Sequence, residues 1–298
     1  MEHTVIINEF LQYIQYEKNY SSHTVLSYHT DLRQFCAFLE ITPDQFTLVT
    51  VGAQEIQQWV LSLMSAGISA RTLSRKISTL KSFWHFLLAR GYAHQNPTLK
   101  IVLPKTNKPI PAFFKNSEML AALDNTFLPN SFEPVRNQLI LDVFYETGIR
   151  LSELISIKDK DVDLDEGNLK VTGKRNKQRI IPIGKSLCEN IERYIILRNN
   201  SVEIPDPQLF VRKNGKMMYP KMVYNMVHDA MSEVSNLHKR SPHVLRHTFA
   251  TTMLNHGADI NAVKELLGHS SLAATQVYTH TSFEELYNIY KHAHPRAK

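Results

Sequence analysis

The chain has 298 residues, of which 43% are hydrophobic and 21% charged, so it has the apolar content for a full core and the length for two domains. No run of about 18 apolar residues occurs, and the opening MEHTVIINEF carries an early carboxylate where a signal peptide would carry basic charge; a cytoplasmic protein without a membrane partner is expected. Cys36 and Cys188 stand far apart with no Cys or His spacing suited to zinc, which argues for two reduced thiols and against a disulfide or structural metal.

Lysine and arginine outnumber aspartate and glutamate 34 to 28, a modest excess, but its distribution is uneven. From Ile56 to Ser117 there is no acidic residue, while Arg71, Arg75, Lys76, Lys81, Arg90, Lys100, Lys105, Lys108 and Lys115 fall inside. Solvated surfaces mix signs, so a strip of one sign points to a polyanionic partner.

The first part reads as four helices. TVIINEFLQYIQYE has apolar residues at helical spacing, and Ser22 is placed to cap a second helix carried by Leu26, Leu32, Phe35 and Leu39. A third helix is predicted over about 53 to 65, stopping at Gly67. The fourth, SARTLSRKISTLKSFWHFLLARG, turns Leu73, Ile77, Leu80, Trp84, Leu87 and Leu88 inward, leaves Arg71, Arg75 and Lys76 on other faces, and ends at Gly91. The prolines of NPTLKIVLPKTNKPIPAFF then favour extended backbone. The resulting domains are 1–94 and 113–298, joined by a basic linker over 95–112 that would let two lobes clamp something large.

In the second domain, Pro134 opens a helix closed by Gly148, and LSELISI begins another directly after Arg150. DVDLDEGNLKVTGKRNKQRIIPI alternates like strands with turns at Glu166-Gly167 and Gly173 to Asn176, a small antiparallel sheet. The alternating aspartates from Asp159 do not make a calcium loop, because its sixth position is Leu164 instead of glycine and its twelfth is Lys170 instead of glutamate. The remainder is mostly helical.

In SPHVLRHTFAT, Ser241 and Pro242 form a helix start, where free backbone N–H groups and the helix dipole favour an anion. Helical rotation gathers His243, Arg246 and His247 into one arc, with Leu245, Phe249 and Thr252 elsewhere. Alone, the stretch fits an anion site or an ordinary capped helix equally well. Nine of the 14 histidines lie from His228 onward, and LLGHSSLAATQVYTH places His269 just after a helix ending at Gly268, then Tyr278. With Arg150 and Lys174 added, the set supplies what metal-free phosphoryl transfer needs: cationic donors, a proton donor for the leaving oxygen, and a nucleophile.

TGIRLSEL, the Gly-Lys of the hairpin, HVLRHTFAT, LLGHSS and VYTH, in this order, resemble the tyrosine recombinase (phage integrase) family over essentially the whole chain. Length, lack of added domains and the ending AHPRAK are most similar to the Xer type, XerC-like over XerD-like. The resemblance implies a mainly α fold: an N-terminal four-helix, SAM-like core-binding domain, then a mostly helical catalytic domain with a small antiparallel sheet. It implies no cofactor or metal. Arg150 and Arg246 would brace the scissile phosphate, Tyr278 would attack it to give a 3′-phosphotyrosyl link, Lys174 would protonate the leaving oxygen, His243 would act as general base and His269 would hydrogen-bond the phosphate. His247 would buttress the site, and an Arg150–Glu153 contact is expected as support for the arginine. Arg175 stands where the Xer pattern has glycine, which leaves Lys177 as an alternative to Lys174.

Candidate DNA contacts are Arg71, Arg75, Lys76, Lys81, Arg175 and Lys177. The partners implied are duplex DNA at a dif-like site, a tetramer with itself or a second Xer recombinase, and a DNA translocase of the FtsK type, with chromosome-dimer resolution as the role. The amphipathic tail SFEELYNIYKHAHPRAK, with Phe283, Leu286, Ile289 and Tyr290 on one side, would pack into a neighbouring protomer; the alternative is a helix folded back on its own domain. Other functional readings are a mobile-element integrase and a non-catalytic DNA-binding relative.

Overall fold

The structure, a computed structural model, describes residues 6–42, 51–103, 112–124, 131–173, 176–203, 206–268 and 283–296. It divides into two units, Met1–Pro109 and Ile110–Lys298. No helix among the described residues is long and apolar enough to cross a membrane.

In the first unit α1 (Ile6–Gln12) runs on into a π-helical turn, Tyr13–Glu17, followed by α2 (Ser22–Phe38), α3 (Ala53–Ser65) and α4 (Ala70–Ala89). The inward stripe of each helix meets in an aromatic core of Phe10, Phe35, Trp59, Phe83 and Trp84, all at most 2% exposed. Burying each such side chain contributes roughly 1.5–3 kcal/mol. Ser69 caps α4 by accepting from the Thr72 amide at 3.3 Å. The cap of α2 is Ser21, whose Oγ accepts from the Thr24 amide, one residue before the expected Ser22. Leu26, expected inward, is 62% exposed.

Lys76 also departs from expectation. It is 4% exposed, with Nζ 3.0 Å from Asp31 Oδ1 and in contact with Gln34 Oε1. Asp31 is fully buried and also binds Arg75 and, at 2.8 Å, the hydroxyl of Thr79. Lys76 therefore neutralises a core carboxylate, and its placement on an outer, DNA-facing surface is corrected. The basic segment after α4 is not extended from its start. Asn96 caps a 3-10 turn at Pro97–Lys100, where proline's fixed φ suits a first helical position, and Ile101 enters the core of the first unit.

The second unit is built around α6 (Phe132–Thr147), buried on nearly every side from Leu139 to Thr147. It starts at Ser131, with Pro134 inside the first turn. The preceding α5 (Asn116–Leu123) is a helix the sequence pattern did not single out. A left-handed Gly148 closes α6, and α7 (Leu151–Ser156) begins immediately after Arg150. Strands β1 (Val162–Asp163), β2 (Asn168–Thr172) and β3 (Gln178–Pro182) form an antiparallel sheet in which Leu169 pairs with Ile181 and Val171 with Arg179. Of the aspartates before it, Asp159 binds Arg198 and Asp161 pairs with Lys170.

Among the described residues four helices follow, α8 (Lys185–Ser201), α9 (Pro220–Val234), α10 (Pro242–Asn255) and α11 (Ile260–Leu267), and then α12 (Phe283–Ala293). In this chain α12 folds back on its own domain, against β3, α10 and α11, with Leu286 and Tyr290 in the shared core. That is the alternative to packing into a neighbouring protomer. A polar cluster seats the tail: Arg296 reaches Asp142 Oδ1 at 2.5 Å, His294 Nε2 lies 3.2 Å from the Tyr145 carbonyl, and the Tyr290 hydroxyl lies 3.5 Å from Glu146.

Candidate active site

The end of α6, the start of α7, strand β3, the start of α10 and the end of α11 bring three arginines around one carboxylate. Arg150 is the N-cap residue of α7, and Glu153, one turn on, accepts its amide at 2.8 Å and its guanidinium at 2.7 Å. The expected Arg150–Glu153 contact is thus present. Glu153 is 2% exposed, which would by itself raise its carboxyl pKa, but hydrogen bonds from Arg179 and from the Arg150 amide hold it below the ordinary carboxylate value.

Arg179 comes from β3, on the strand face that also carries buried Ile181. It grips Glu153 with both terminal nitrogens, each at 3.0 Å, and its Nε donates to the Leu266 carbonyl at 2.6 Å. Arg246, from the first turns of α10, is 6% exposed and donates to the carbonyls of Gly148 and Leu267, both at 2.7 Å. Arg150 donates to the next carbonyl, Gly268, at 3.0 Å. The three consecutive carbonyls 266, 267 and 268, at the C-terminal end of α11, therefore each hold one of the three arginines. Arg246 lies between the C-terminal ends of α6 and α11, whose negative dipole ends offset the cost of burying it. Burial, then the charge of Arg150, lower its pKa to about 10, with Glu153 opposing, so it stays cationic at neutral pH.

Gly268 adopts φ +64°, and a Cβ there would lie 2.9 Å from Arg179 Nη1, so only glycine lets the guanidinium pass. The hairpin turn also approaches closely: a Cβ at Gly173 would lie 3.2 Å from Glu153 Oε1. His243 and His247 project outward from α10, their rings stacked 5.1 Å apart and 4° from parallel. Partial burial, then His243 and Arg246, lower the His247 pKa, which favours its neutral form. Among the described residues, three guanidinium groups against one carboxylate leave positive charge unneutralised, with Arg150 31% exposed at the rim. Such a cluster suits an oxyanion with several oxygens to grip.

Residues 114–285 match the family model described as "Phage integrase family", and residues 7–91 match "Phage integrase, N-terminal SAM-like domain". The chain is 40% identical over 293 residues to Tyrosine recombinase XerC of Staphylococcus carnosus, covering 98% of each chain. It is 37% identical over 317 residues to Tyrosine recombinase XerC of Chlorobaculum parvum, covering 98% of this chain and 94% of that one. The chain belongs to the phage integrase family.

As a tyrosine recombinase it is a DNA strand transferase, which cleaves and rejoins DNA through a covalent tyrosine intermediate, and within the family it is XerC-like. The mainly α recombinase fold is also that of the XerH site-specific recombinase bound to palindromic difH substrate, at TM-score 0.73 and 20% identity, covering 97% of this chain and 95% of that one. Of the recombinase residues expected from sequence, Arg150 and Arg246 come together, and His243 stands one turn from Arg246 on α10. Lys174, Arg175, His269 and Tyr278 lie outside the described residues. Among the other candidate contacts, Arg71 and Lys177 are exposed and Lys81 half-buried, while Arg75 is held by Ser27 and Asp31. Arg179 was missed. Its signal was a cation at an inward strand position, hidden because Ile180 and Ile181 are both apolar and leave the register of β3 open.

Proposed function

We propose that the chain is a site-specific recombinase acting on paired dif-like duplex sites as a tetramer, in the cytoplasm, to resolve chromosome dimers. Residues 1–94 form its DNA-binding domain and 113–298 its catalytic domain. The observation that carries the reading is the cluster of Arg150, Arg246 and Glu153 at the end of α11, the helix from which the segment bearing His269 and Tyr278 departs. The names of the similar recombinases, and the difH substrate held by XerH, support the choice of site.

In this mechanism Arg150 and Arg246 hold the non-bridging oxygens of the scissile phosphate, with His269 adding a hydrogen bond. Losing one such donor costs ~3 to 4 kcal/mol in the transition state. The Tyr278 phenol oxygen attacks phosphorus while His243 takes its proton. The bond to the 5′ oxygen breaks, Lys174 protonates that oxygen, and a 3′-phosphotyrosyl link remains. Attack by a 5′-hydroxyl of the partner strand reverses these steps, so the energy of the broken bond is conserved in the new one. Assembly places the subunits on two duplexes, and a DNA translocase of the FtsK type activates them.

The test is a suicide substrate carrying a nicked dif-like site. The native chain forms a covalent protein–DNA adduct and Tyr278→Phe forms none. Adduct formation by Tyr278→Phe would overturn the nucleophile assignment, and DNA binding without any adduct from the native chain would favour a non-catalytic DNA-binding protein.

A further inference from the structure

We propose that Arg179 is a positioning residue for strand cleavage, acting on Arg150 through Glu153 and on the end of α11 through the Leu266 carbonyl. The inference rests on the reading of Arg150 as a phosphate-holding residue. Arg179 sits on the core face of β3, paired with Val171 and two residues from Ile181, where an apolar side chain would serve a purely structural sheet. A charge placed there is costly unless its donors are well matched. They are matched to the site itself, by a two-pronged grip on Glu153 and a bond to Leu266.

The charge balance explains why the grip matters. The groups facing Glu153 are Arg150 from the start of α7 and Arg179 from β3, with Arg246 on α10 adding its field. Without Arg179, the one buried carboxylate would be neutralised by Arg150 alone, and the charge of Arg150 would be engaged by Glu153 instead of a phosphate. With Arg179 closing the carboxylate from the other side, Arg150 keeps its surplus charge and the orientation set by Gly268. The planar fork also fixes α11 through Leu266, and Gly268 is the glycine that gives this guanidinium room. Lysine would keep the charge but lose the two-point grip.

The experiment measures single-turnover adduct formation on a saturating suicide substrate, and DNA affinity separately, for the native full-length chain, Arg179→Met, Arg179→Lys and Arg150→Ala, with a thermal melt of each. Small misplacement of a reacting group costs about 10²-fold in rate. Arg179→Met is expected to lose rate on that scale with DNA affinity unchanged, and Arg179→Lys to recover part of it. If Arg179→Met folds poorly, Arg179→Lys carries the test by the same split between rate and affinity. Native rates in a folded Arg179→Met, or rate, affinity and melting temperature falling together in both variants, would overturn the proposal and leave Arg179 a core ion pair. If Arg150→Ala also cleaves at the native rate, it is the phosphate-holding reading that fails.

Discussion

Asp31 in α2 and Glu153 in α7 are both buried carboxylates held by two cationic side chains, yet they produce opposite surroundings. The partners of Asp31, namely Arg75, Lys76 and Thr79, all come from one turn of α4, so the cluster staples two helices and turns Lys76 inward. The partners of Glu153 come from separate elements, and beside them Arg246, among the described residues, is bonded to neutral carbonyls. The first cluster uses up positive charge that the sequence seemed to offer to a ligand. The second concentrates positive charge that local pairing does not cancel. A count of cations along the chain therefore misjudges both places; what matters is which carboxylate each one meets. Asp142 and Glu146 on α6 give a third variation, with two buried carboxylates facing the single guanidinium of Arg296.

The contrast breaks most visibly at Arg246. Arg246→Ala is expected to lower single-turnover cleavage by about 10² to 10³, the usual loss for a donor aimed at developing negative charge. It also leaves two buried carbonyls without their donor, at roughly 1–3 kcal/mol each, read as a lower melting temperature. An unchanged rate would make Arg246 a fastener like Lys76.

The third cluster sharpens the comparison through pH. Burial, with Asp142 adding and Arg296 opposing, raises the Glu146 pKa from 4.5 to about 8. The folded chain thus binds this proton more tightly than the unfolded chain, and the associated stability is present below about 4.5 and lost as pH rises to 8. Burial lowers His294 from 6.5 to about 4, which acts in the opposite sense but is complete by pH 6.5. Stability should therefore fall between pH 6.5 and 8, by at most about 1.4 kcal/mol per pH unit from Glu146, and the melting temperature should fall with it. Glu146→Gln should flatten that window, as read by thermal melts across pH.

The smallest effect separates Arg71 from Lys76. Arg71→Ala should reduce the steepness of log K against log salt for DNA binding by about 0.9, the value for one phosphate contact. Lys76→Met should leave the slope unchanged and lower stability, because it removes one of the two cations that neutralise the buried Asp31.

Much of this was legible because helix stripes and stop signals are local. The bounds of α3, the Gly148 and Gly268 stops, the start of α7 after Arg150 and the Glu166-Gly167 turn follow from residues within a few positions. The misses depended on distant partners. Lys76 lies three residues after Leu73 and four before Leu80, an inward position by helical spacing, but an ammonium is tolerated there only because Asp31 approaches from α2. Arg179 is inward only once β3 takes its register against β2. Likewise, the apolar side of the tail helix is plain in sequence, while the surface that covers it, its own domain in this structure, is not.

The claim that matters most is that the uncancelled charge beside Glu153 serves the scissile phosphate. It is tested by comparing native chain and Arg150→Ala on two suicide substrates, one with the normal scissile phosphate and one in which a methylphosphonate replaces a charged non-bridging oxygen by a neutral methyl group. The account predicts that Arg150→Ala loses adduct formation on the phosphate and regains a large part of it on the methylphosphonate, where there is less charge to hold. A folded Arg150→Ala that cleaves the ordinary phosphate at the native rate, or that is equally inactive on both substrates, would contradict it.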